Sequence, residues 1–108
     1  MRLAGVCQAP QITANVNDYS PDGFYGAGLL IISSDAARDI TGIFAGAPLQ
    51  CLVVINTGAF TITLKNSSVA SAPENQFVAS GDFGLLAGGA VQLVYDPVNL
   101  RWHVAGGF

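Results

Sequence analysis

The chain has 108 residues, which suits a single domain with one core. Its composition is 51% apolar and only 10% charged, where soluble domains average about 25% charged. The net charge is −3, and the four basic residues Arg2, Arg38, Lys65 and Arg101 stand singly, which excludes a phosphate-tracking nucleic-acid surface. No run approaches the roughly 20 apolar residues that a membrane-spanning helix needs. With so few charges, much of the apolar surface is expected to be covered by copies of the chain or by another protein.

In chain order, residues 1–20 are weakly patterned and punctuated by Pro10. They read as an N-terminal segment that could serve as an anchoring arm, with a β domain over residues 21–108. Leu3-Ala4-Gly5 followed by Val6-Cys7 hints at a lipoprotein cleavage site, but no apolar stretch of 7 to 15 residues precedes it. Synthesis without secretion, in a cytoplasm, is the expectation.

Helix signals are nearly absent; Ser33 to Asp39 offers a single turn at most. Short strands are predicted over residues 12–16, 25–32, 39–44, 49–55, 60–65, 76–79 and 83–86, with a closing pair over 91–95 and 101–105. In residues 60–65 (FTITLK) Phe60, Ile62 and Leu64 alternate with Thr61, Thr63 and Lys65, the period of a strand with one face in a core. Residues 49–55 (LQCLVVI) form a nearly unbroken apolar run, suited to a strand covered on both faces. Asn56-Thr57-Gly58-Ala59 lies between the two and predicts a hairpin. Residues 65–73 (KNSSVASAP) read as an exposed loop. No internal repeat is visible. Together these spacings predict an all-β, single-domain fold, an antiparallel sandwich or jelly-roll-like barrel of about eight short strands.

The closing pair reads in more detail. Asp96-Pro97-Val98-Asn99 is turn chemistry, with Pro97 pre-set and Asn99 suited to a left-handed conformation. Val91, Leu93 and Tyr95 share one face; Trp102 and Val104 share another. Tyr95, Trp102, Val104 and the terminal Phe108 are therefore candidate anchors of the core or of an oligomer. His103, the single His, falls on the polar side with Asp96 as its nearest carboxylate, but no Gly-x-Ser-x-Gly elbow supplies a nucleophile. No catalytic residue is assigned.

Cys7 and Cys51 are too few for a disulfide framework or, with one His, for a closed zinc site. Asp18 to Gly23 lacks the Glu of a calcium loop, and the Gly groups near residues 26 and 84–89 lack the Lys and helix of a phosphate loop. No metal or cofactor is expected. Asn66-Ser67-Ser68 matches a glycosylation sequon, which needs a secretory route to matter. Tyr19, Phe24 and Tyr25 cluster near Asp18 and Asp22 and form a candidate glycan or partner surface, because aromatic rings beside carboxylates can stack on sugars.

Between residues 39 and 104, Val54-Ile55-Asn56-Thr57-Gly58, Glu74-Asn75-Gln76-Phe77, Leu93-Val94-Tyr95-Asp96 and Arg101-Trp102 follow one another in an order that resembles a recurrent β-rich module of tailed-bacteriophage virion proteins. That module occurs in head fibres, capsid decoration proteins and tail fibres. The resemblance implies an antiparallel β fold without catalytic residues, often trimeric on the virion surface. It thus implies a non-enzymatic decoration (cement) or head-fibre protein whose partners are itself, as a homotrimer, and the major capsid protein or another virion protein. The alternative it leaves is a tail-fibre or receptor-binding tip that recognises host glycan through Tyr19, Phe24, Tyr25 and the loop over 65–73. Residues 1–38 lie outside the resemblance.

Overall fold

A computed structural model of the chain describes residues 5–22, 24, 27–44 and 51–107. Nine strands occur among them: β1 (Val6–Gln8), β2 (Leu29–Ile32), β3 (Arg38–Ile40), β4 (Cys51–Asn56), β5 (Ile62–Leu64), β6 (Phe77–Val78), β7 (Phe83–Leu85), β8 (Ala90–Asp96) and β9 (Arg101–Gly107). They form a six-stranded sheet in the order β1-β2-β4-β8-β9-β6 and a three-stranded sheet in the order β3-β5-β7. The all-β, single-domain expectation holds.

The antiparallel sandwich or jelly roll does not. β1 pairs with β2, β2 with β4, and β3 with β5, all in parallel. Val6 lies beside Leu29 and Leu29 beside Val53, so the chain returns to the same wall after 23 residues and again after 24. Val16 lies beside Ile40, and Ile40 beside Leu64, on the opposite wall. The path is a short solenoid whose successive coils stack, followed by an antiparallel C-terminal part in which β8 joins β4, β7 joins β5, and β9 returns on β8.

Stacking in register puts like positions on top of one another. Cys7, Leu30 and Val54 form one buried column, and Ile40 with Leu64 continues another that starts at the partly buried Val16. Each coil contributes only a few apolar side chains, too few to exclude water alone, and burial becomes complete because neighbouring coils cover them. This also explains why the repeat is invisible in sequence. The stacked positions share burial and not identity.

The predicted hairpin of residues 49–55 with 60–65 is a corner. β4 belongs to the six-stranded sheet and β5 to the three-stranded one, so the two never pair. Asn56 decides this. Its side chain is fully buried, its amide donates to the carbonyls of Phe60 at 2.8 Å and Leu85 at 2.9 Å, and its Oδ1 accepts the Gly58 N–H. The Thr57 N–H donates to the Ile32 carbonyl of the coil below. With its donors spent on the neighbouring coil and the opposite sheet, the turn cannot fold back on β4.

The segment expected as an arm is built into the solenoid over its described residues. β1 is paired to β2, Cys7 and Ile12 are buried, and Ile12, Val16 and Tyr19 bridge to Ser34, Ile40 and Ile43. The sequence over 9–20 looks unpatterned because it contributes single bridging residues between bends rather than continuous strands.

β8 and β9 form the closing hairpin as predicted, joined by residues 97–100. Asp96 Oδ1 accepts the N–H groups of Val98 and Asn99, while the left-handed residue is Leu100 at φ 58° rather than Asn99. The β8–β9 register sets Tyr95 opposite Trp102 and Leu93 opposite Val104, so the two groups expected on separate faces share the inward one.

Candidate functional site

The C-terminal candidates converge on the core. Trp102 is fully buried, its indole N–H donates to the Ile43 carbonyl at 2.8 Å, and its ring meets Tyr95 edge-on with centroids 5.1 Å apart. The Tyr95 hydroxyl donates to the Glu74 carbonyl at 2.9 Å, and burial pushes its pKa up. Val104 packs partly buried against the same core. Phe108 lies outside the described residues. Trp102, Tyr95 and Val104 pin the hairpin to the second coil, and the rings of Trp102 and Tyr95 are both buried.

His103 points outward, its Nε2 3.2 Å from Asp96 Oδ2. That carboxylate is held down to about 2 by the side-chain amide of Asn99 and then by the N–H groups of Asn99 and Val98, with His103 the smallest contribution. The cluster is exposed and its bonds serve the turn. Among the described residues, no three His, Cys, Asp or Glu side chains gather as a metal site.

The N-terminal aromatics part company. Phe24 is a core residue at 2% exposure, Tyr25 lies outside the described residues, and Tyr19 is half-buried against the core. Tyr19 lines an open groove of about 400 Å³ with Pro10, Ile12, Val16, Ser20 and Pro21, and burial pushes its hydroxyl up to about 12. Cys7 lies nearby beneath the surface; its thiol donates to the Asp22 carbonyl at 3.3 Å, and burial raises its pKa. The loop after β5 exposes Val69 at its tip and is tied at its base by the Lys65–Asp82 ion pair at 2.8 Å.

Sequence reasoning missed a polar knot between the first coil and residues 71–76. Asp18, at φ 48°, accepts the Ala72 N–H and the Asn75 side-chain amide, both at 2.8 Å, and these bonds lower its pKa. Its own N–H donates to Ser71 Oγ, which lies 2.7 Å from Thr41 Oγ1. Gly42 sits against this knot so tightly that a Cβ would come within 2.6 Å of the Asn75 carbonyl and of Ser71 Oγ. Asp18 reads locally as a turn residue, and its partners lie more than fifty positions away. No local signal could have found them.

The two sheets differ in what they turn outward. On the three-stranded sheet the outward row is Asp39, Thr63 and Gly84, polar or small. On the six-stranded sheet Leu30, Ile32, Leu52 and Val54 point inward, which leaves Val6, Leu29 and Val53 in one outward row and Ile31 and Ile55 in the next. Val94 continues this face on β8 at 41% exposure, and Val6 is 63% exposed. Half-buried Cys51 accompanies them, within 3.1 Å of the Gln92 amide. Its outward positions on β1, β2 and β4 carry no ionisable acid or base apart from the Cys51 thiol.

No family model, curated protein or solved structure matches this chain. No helix among its described residues is long and apolar enough to cross a membrane.

Proposed function

We propose that the chain is a non-enzymatic virion structural protein, a capsid decoration or head-fibre module that acts as an oligomer on the assembled shell of a tailed bacteriophage. One observation carries this reading: the apolar, largely β-branched outer face formed by Val6, Leu29, Ile31, Val53 and Ile55 on β1, β2 and β4, which a free monomer would leave in contact with water. A rigid stack of coils with such a face suits a protein whose work is to be held against other proteins. Binding to the assembled shell but not to its free subunits would stabilise the lattice by mass action, and it would work from the virion surface after synthesis in the host cytoplasm. The resemblance over residues 39–104 supports the same class.

The test is reconstitution. Purified protein is mixed with shells that lack it and imaged by electron microscopy. Regular occupancy at symmetry-related positions, with a higher shell melting temperature, is the expected result; bare shells at micromolar protein would overturn the proposal.

The groove at Tyr19 favours a second reading, a receptor-binding tip that takes a neutral glycan. A half-buried ring beside Ser20 and Pro21 offers a stacking surface with hydroxyl partners. Binding on a glycan array that Tyr19→Ala abolishes would select this reading over the first.

A further inference from the structure

We infer that the end of the stack formed by the first coil is a strand-addition site. There an extended apolar segment of a partner polypeptide pairs with the open edge of β1 and sets its inward side chains in the groove at Tyr19. The inference stands apart from shell binding, and it gives that groove a peptide in place of a glycan.

The two ends of the stack are finished differently. At the far end β8 lies on β4 and β7 on β5, so the third coil is covered along both walls. At the near end β1 is the edge strand of its sheet. Its flanking residues spend their backbone on the second coil: the Gly5 carbonyl accepts the Leu29 N–H, and the Ala9 N–H donates to the Ile31 carbonyl. Backbone groups alternate in direction along a strand, so the N–H and carbonyl of Val6 and of Gln8 point away from that coil. No strand among the described residues meets them.

Burial shows the same uncovered layer. In the column of Val16, Ile40 and Leu64, Ile40 is fully enclosed because a coil lies on each side of it, and Val16 is only half-buried. Tyr19 lies over the fully buried Ile43 in the same way. The groove of about 400 Å³ at Val16 and Tyr19 is lined, among the described residues, by positions 10–22 alone. With no lining from the second coil, it opens at the end of the stack. It also adjoins β1, since Pro10 lies two positions after Gln8 and the carbonyl of Asp22 accepts the Cys7 thiol.

The chemistry of this end selects its occupant. Val6 and Gln8 offer two donors and two acceptors at the spacing of a strand, which an extended backbone matches and a sugar does not. The groove has room for two or three apolar side chains, because a cavity of about 150 Å³ already holds a benzene ring. Its lining carries one acid, Asp22, and no base, so the segment that fits is free of Asp and Glu. The Tyr19 hydroxyl makes no hydrogen bond among the described residues and is left for a backbone group of that segment.

The probe is a fluorescein-labelled peptide, Lys-Lys-Gly-Leu-Leu-Ile-Ile-Ser-Ser. It carries residues 28–34, which include the strand that pairs with β1 on its other side, behind two solubilising lysines. Fluorescence anisotropy is read on the full chain as wild type, Gln8→Pro, Ala14→Trp and Val69→Ser. Gln8→Pro removes one outward N–H and none of the bonds to β2, Ala14→Trp blocks the groove from an exposed position, and Val69 is on a distant loop tip. The expected result is saturable binding below about 1 mM, weakened about tenfold by Gln8→Pro and by Ala14→Trp and unchanged by Val69→Ser. Amide exchange at Val6 and Gln8 should slow in the complex, and a peptide with Asp in place of Leu30 and Ile32 should not bind. If Ala14→Trp does not fold by circular dichroism, Gln8→Pro carries the test. No saturable binding up to about 1 mM, or binding indifferent to Gln8→Pro, would overturn the inference. So would a wild-type oligomer in sedimentation that Gln8→Pro dissociates, which makes a second copy the occupant, or a glycan that binds at Tyr19 where the peptide does not. Shell reconstitution is scored separately. A Gln8→Pro protein that loses the peptide and still decorates shells supports both readings, and peptide binding with bare shells supports the inference and sinks the proposed function.

Discussion

The N-terminal half and the C-terminal half of this chain solve the same problem by different means. The stacked coils hold parallel strands together through polar clamps, the buried Asn56 at one corner and, at another, a knot of the exposed Asp18 with the buried Thr41 and Ser71. The closing hairpin relies on local antiparallel pairing and one large anchor, Trp102, whose bond to the Ile43 carbonyl reaches back into the coils. Parallel strands are joined by long connections whose corners must satisfy their own backbone, and an antiparallel pair needs only a short turn. Polar specificity therefore concentrates where the topology is non-local.

Substitutions can break that contrast. Trp102→Ala should have the largest effect, about 3–5 kcal/mol from the emptied core volume, with the Ile43 carbonyl left without its partner. Urea unfolding followed by circular dichroism measures it, and a loss under about 1 kcal/mol would mean that the hairpin is not anchored there. Asn56→Ala should cost about 2–4 kcal/mol, because two buried carbonyls lose their donor. The same change to Asp keeps the shape but not the donors, and should rescue little.

Gly42→Ala forces a Cβ into the Asn75 carbonyl and Ser71, so a destabilisation of about 1–3 kcal/mol is expected in thermal melts. A neutral outcome would show that the knot yields easily.

Acid should sharpen the comparison. Asp18 and Asp96 both titrate below the ordinary carboxylate value, Asp18 because of Asn75 and Ala72, and Asp96, down to about 2, because of Asn99 and Val98. A carboxylate with a depressed folded pKa stabilises above its unfolded value, about 3.9, and that contribution is lost as pH falls toward the folded one. Melting temperature should therefore decline between about pH 4 and pH 2. Asp18→Asn should flatten part of that decline and Asp96→Asn another part, the first reporting the coils and the second the hairpin.

The smallest effect belongs to Leu100, held at φ 58° with an exposed side chain. Leu100→Gly removes the strain of the left-handed conformation and should raise stability by less than about 1 kcal/mol, seen as a small shift in the urea midpoint.

Local pattern determined a good deal of this protein. The alternation of Val91, Leu93 and Tyr95, the turn chemistry of Asp96 and Pro97 and the apolar run before Asn56 placed eight of the nine strands to within a few residues, because side-chain period and turn preference act over neighbours. β1 was missed because three residues beside Pro10 carry no period. Partnership was decided elsewhere. Whether residues 51–56 pair with 62–64 or with 29–32 depends on where the Asn56 amide finds its acceptors, and one of those, Leu85, lies 29 positions away. The same holds for the surfaces. The composition implied covered apolar area, but only the register of β1, β2 and β4 gathered Val6, Leu29 and Val53 on one side, since a shift of one residue would have turned them inward.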